Sequence, residues 1–78
     1  MRQKTNKLVI AFHTTTEALH AEQICGEEDL PGRMIPVPRQ ISAGCGMAWM
    51  CPPEEKEHIL EVLRRRGVEI EQHQEVML

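Results

Sequence analysis

The chain predicts an α+β fold: a ferredoxin-like βαββαβ plait, with two helices on one face of a four-stranded antiparallel sheet in spatial order 4-1-3-2. Three observations predict it. Apolar runs of strand length and stretches of helical periodicity follow one another as strand, helix, strand, strand, helix, strand. Prolines crowd the second strand, which confines it to an edge. The first and third strands are the most apolar, and this order puts both in the centre.

Leu8-Val9-Ile10-Ala11-Phe12 is continuously apolar with β-branched members, the pattern of a central strand. Thr14 and Glu17 then match a capping box, in which a hydroxyl takes an orphan helix N–H; Thr15 is an alternative cap. Ala18, Ala21, Ile24 and Cys25 recur at helical spacing, and the small alanines allow close approach to a sheet. Gly26 to Gly32 turns the chain. Arg33 to Pro38 is extended but lacks ladder donors at Pro36 and Pro38. Arg39 to Gly46 is a loop of small residues whose one large apolar member is Ile41. Met47-Ala48-Trp49-Met50-Cys51 is the third strand.

Pro52-Pro53-Glu54-Glu55 opens the second helix, since proline suits a first turn and acids suit the positive end of the helix dipole. Ile59, Leu60, Val62 and Leu63 form its buried stripe. Arg64-Arg65-Arg66 matches the negative end, and Gly67 is a left-handed stop. Val68-Glu69-Ile70-Glu71 alternates as a half-exposed strand. The tail from Gln72 to Leu78 either extends this strand or frays; residues 1–78 form one domain, with 1–6 and 74–78 free to fray.

Composition narrows the function. Three cysteines without a C-x-x-C pair suggest free thiols in a reducing, cytoplasmic compartment rather than a disulfide framework or zinc knuckle. Cys45, Cys51, His13 and His58 have no recognised ligand spacing, so no metal is expected, and no cofactor motif is present. No segment approaches the roughly 20 apolar residues of a membrane span. A net charge of −3 and only Phe12 and Trp49 as aromatics argue against nucleic acid.

What remains is the loop Ser42-Ala43-Gly44-Cys45-Gly46, with Cys45 as the working thiol. The predicted topology brings the loop to the end of the sheet where the first strand finishes and the first helix begins. His13, Thr14 and Thr15 are expected there, with the Arg64–Gly67 turn at the same pole. A helix N-terminus and a cation such as Arg39 raise the thiolate fraction of a nearby cysteine. Gly44 and Gly46 let backbone and a partner approach, Ser42 adds a hydroxyl, and His13 supplies a proton or a hydrogen bond. No carboxylate is evidently placed to orient His13. Cys51 and Cys25 are expected in the core, Met34, Met47 and Met50 as core filler, and His20 and His73 at the surface.

Two central strands apolar on both faces, with helices on one face only, predict an open apolar face. It would expose Val9 and Ala11 or their alternates, with Trp49 or Met50, and serve a homo-oligomer or a protein partner.

The stretch Arg33 to Ala48, RMIPVPRQISAGCGMA, resembles a family of short bacterial proteins described as selenium/sulfur carrier-like and long held as a domain of unknown function. That family's pattern is a strand ending I-P-V-P-R, then I-S, then C-G before an apolar strand. Phe12-His13-Thr14 with Ala18 matches its N-terminal turn. The resemblance implies that Cys45 carries sulfur or selenium as a persulfide or selenyl-sulfide, loaded by a cysteine desulfurase or selenium donor and unloaded by an acceptor enzyme. Two other readings stay open: a non-catalytic interaction or regulatory module, and a thiol redox sensor pairing Cys45 with Cys51. A self-contained enzyme fits least.

Overall fold

Leu8 to Phe12 is apolar at every position, and every one of those side chains is fully buried. They belong to β1 (Asn6–Phe12), a central strand of the sheet. The computed structural model describes residues 5–41 and 46–78. After β1 come α1 (Thr15–Glu27), β2 (Arg33–Pro36) and β3 (Met47–Cys51). A short 3-10 turn (Pro53–Glu55) then leads into α2 (Lys56–Arg65), and β4 (Ile70–Met77) ends the fold. The strands form one antiparallel sheet in the order β2-β3-β1-β4, which is the predicted order read from the other edge. Pro36 thus sits on an edge strand, where its missing N–H is tolerated.

Alternation along β1 divides the interior in two. Leu8, Ile10 and Phe12 join the stripes Ala18, Ala21, Ile24, Cys25 of α1 and Ile59, Leu60, Val62, Leu63 of α2, with Trp49 and Cys51 of β3. Both helices therefore cover the same face. Thr14 starts α1 as expected: its Oγ1 accepts from the Glu17 N–H at 3.1 Å. At the end of α2, Gly67 N–H donates to the Arg64 carbonyl (3.1 Å) and Val68 N–H to that of Leu63 (2.9 Å). The second bond draws Val68 into the main core instead of into a strand.

The face away from the helices is not open, contrary to the expectation from sequence. Val9, Ala11 and Ala48 are fully buried there, in a second cluster with Ile41 and Val76, flanked by Ile35, Val37 and Leu78. Trp49 lies on the helix side, 5% exposed, and only Met50 is half-buried. The cover comes from the chain itself. Val37 N–H donates to the Gly46 carbonyl at 3.0 Å, which closes the neck of the β2–β3 loop. Ile41 N–H donates to the Pro38 carbonyl at 3.0 Å, and this turn seats the Ile41 side chain on Val9 and Ala11. The apolar patch proposed for self-association at Val9 and Ala11 is thus occupied.

The last strand starts later than Val68, and its tail takes the first of the two courses open to it, extension rather than fraying. β4 starts at Ile70 and uses nearly the whole tail, pairing Asn6↔Met77 through Ala11↔Gln72. Beyond it Thr5 and Leu78 exchange both backbone hydrogen bonds, at 3.2 and 3.1 Å. A central strand must pair its N–H and C=O groups on both sides, and the tail supplies the second partner of β1. The arginine run splits. Arg66 bonds Glu27 and Glu28 at the end of α1, and its guanidinium holds the Glu27 carboxyl below its ordinary range, while Arg64 and Gly67 line a groove with Glu71.

Candidate functional site

Two of the three cysteines are sealed into the helix-side core. Cys25 is fully buried and Cys51 is 2% exposed. Burial, and then the neighbouring Cys51, pushes the Cys25 thiol up to about 12. Burial, and then Glu55 and Glu54, pushes Cys51 up to about 11. A thiol so protonated and enclosed is a poor nucleophile. Cys51 therefore has the packing role expected of it and is poorly suited to resolve a disulfide.

Cys45, Ser42 and Gly44 lie outside the described residues. The residues that bracket them are anchored. Ile41, before them, is 5% exposed in the second cluster. Gly46, after them, holds Val37 through its carbonyl. Between Leu8↔Cys51 and Ala11↔Ala48, the β1–β3 register sets the end of β1 beside the start of β3, and Pro36↔Met47 brings the end of β2 to the same place. His13, Thr14 and Gly46 thus share one end of the sheet.

At that end Thr14 is occupied as the cap of α1, and Thr15 is the first helical residue, exposed to solvent. Arg39 is exposed in the Pro38–Ile41 turn. Ile41, two positions on, packs on the face opposite α1. His58 lies on α2 beside Glu55, 3.5 Å away, and His20 is exposed. His73 of β4, paired with Ile10, is half-buried and lines an open groove with Arg64 and Glu71.

The residue that sequence reasoning missed is Glu71. His13 Nδ1 lies 3.4 Å from Glu71 Oε2, with the two side chains 49% and 26% exposed. The β1–β4 register steps from Ala11↔Gln72 to Phe12↔Ile70, which leaves Glu71 as the extra residue of a β-bulge. In the sequence Glu71 reads as an outward member of an alternating strand. Nothing local marks it, because its neighbour is 58 positions away and depends on how two strands align.

A family model described as "Putative Se/S carrier protein-like" matches residues 7–74, a span that includes Cys45, His13 and Glu71. Comparison with curated proteins and with solved structures gives no match.

Proposed function

This chain belongs to the Se/S carrier protein-like family, and from that membership we propose that it carries sulfur or selenium on Cys45. The observation that supports the choice of thiol is the burial of the other two cysteines in the helix-side core. On this reading the chain is a ferredoxin-like plait working in a reducing cytoplasm. Among the described residues no helix is long and apolar enough to cross a membrane.

Loading is a thiol exchange without net oxidation. The Cys45 thiolate attacks the terminal sulfur of a persulfide on a donor enzyme. The donor's S–S bond breaks as the new bond at Cys45 forms, and the donor leaves as its thiolate. The selenium version transfers a terminal selenium in the same way, giving a selenyl-sulfide. An acceptor enzyme unloads Cys45 by the same exchange.

Incubation with a cysteine desulfurase and cysteine should add the mass of one sulfur atom to the intact protein and nothing to Cys45→Ala. Alkylation of the folded protein should label Cys45 and spare Cys25 and Cys51 until denaturant is added. A selenium-loaded donor should add one selenium at the same place. Absence of both adducts on the wild type would overturn the carrier reading. A disulfide between Cys45 and Cys51 after mild oxidation, found by peptide mapping, would favour the redox sensor.

A further inference from the structure

A sheet that does not close on itself has two edges, and an edge strand carries a row of N–H and C=O groups without ladder partners. β2 is a guarded edge: four residues long, with Arg33 at one end and Pro36 at the other. β4 is the opposite case. It is eight residues long, holds no proline, lysine or arginine, and has no strand on its outer side among the described residues. The bulge at Glu71 lies at its start, and the pairing from Gln72 to Met77 is regular.

The ladder with β1 fixes which backbone groups face outward. Thr5 and Leu78 exchange both backbone hydrogen bonds, so by antiparallel alternation Val76, Gln74 and Gln72 point theirs toward β1. His73, Glu75 and Met77 then direct their N–H and C=O away from the sheet. Their side chains share its helix side, since His73 and Glu75 lie opposite Ile10 and Leu8.

We propose that β4 is a dimerisation edge: it pairs antiparallel with β4 of a second copy about a two-fold axis at Gln74, which joins two sheets into one. The strand selects this partner and register through its own charges. Across a two-fold axis, outward residues must meet outward residues. An axis at His73 would face Glu71 with Glu75 of the second copy, and an axis at Glu75 would face two Glu75 carboxylates, both destabilising. Axes nearer either end run the seam through the bulge or shorten it. An axis at Gln74 uses the regular stretch and sets His73 opposite Glu75 on both sides. An imidazole N–H donates to a carboxylate in either protonation state of the ring, and protonation adds an ion pair. Glu75 is exposed, and Asn6 Nδ2 donates to its Oε1 from within the same sheet. The same register brings Met77, 53% exposed, level with Glu71 of the second copy, where Ile70, Glu71 and His73 line an open groove. The carboxylates that forbid other alignments thus favour this one. The inference does not depend on the reading of Cys45.

Sedimentation equilibrium of the full chain tests it. Wild type should approach the mass of two chains as its concentration rises toward about 1 mM. Glu75→Pro removes an N–H that points away from β1 and leaves the inner ladder intact, so it should sediment as one chain with an unchanged circular dichroism spectrum. His73→Glu sets carboxylate against carboxylate, and the double variant His73→Lys with Glu75→Lys sets cation against cation; each alone should be monomeric. Mixed in equal amounts, those two should recover the two-chain mass, because every His73–Glu75 position then joins opposite charges. The charge variants decide the question if Glu75→Pro does not fold. A wild type that stays a single chain throughout, a dimer that survives in any of these folded variants alone, or a mixture that stays monomeric overturns the proposal.

Discussion

Gly32 carries more constraint than its place in an exposed turn suggests. Its φ is +124°, and a Cβ there would sit 2.4 Å from the Met50 carbonyl oxygen and 2.5 Å from Trp49 Nε1. The same indole nitrogen donates to the Pro31 carbonyl at 3.3 Å, so the ring cannot simply retreat. Gly32→Ala should therefore lose about 2–3 kcal/mol in urea denaturation, combining backbone strain with displacement of Trp49. Single residues were legible in the sequence where their role is local or hydrophobic. Thr14 as a cap and Cys25 and Cys51 as packing follow from type and spacing. Glu71 was illegible, because its contact with His13 depends on a strand register that no nearby residue announces.

At the scale of the elements, the two helices end by one device built from different residues. In α2, Gly67 takes the left-handed position, with φ +86°. In α1 the same place is held by Asp29 with φ 56°; Leu30 N–H donates to the Cys25 carbonyl at 2.8 Å, and Asp29 N–H to that of Gly26 at 3.4 Å. The glycine expected to begin the turn, Gly26, is inside the helix. The stop is set where Leu30, 8% exposed, can reach the core, and that falls beyond Gly26. An L-residue in the left-handed region is disfavoured, aspartate less than most. Asp29→Gly should therefore raise stability by about 0.5–1 kcal/mol, seen as a higher urea midpoint with an unchanged slope. A lower midpoint would mean that the Asp29 side chain has a role of its own.

The whole molecule is thin, and its stability depends on covering both faces of one sheet. The helices cover one face, and the β2–β3 loop covers the other through Ile41. A loop residue that merely faced solvent could be changed within about 0.5 kcal/mol. Ile41→Ala should instead cost about 2 kcal/mol and raise the binding of a hydrophobic dye, as Val9 and Ala11 become accessible. The loop that bears Cys45 is thereby tied to the fold at both ends, by Ile41 and by the Val37–Gly46 bond. By itself the sequence determined the number and type of the strands and α-helices, their central and edge places, and the stripes each helix buries. Periodicity, capping and proline exclusion act over a few residues and are written locally. Tertiary structure alone decided that a loop closes the second face and that a bulge sets Glu71 against His13. Each of these depends on which distant segments come to lie side by side, and burial and backbone pairing settle that only once the whole chain is folded.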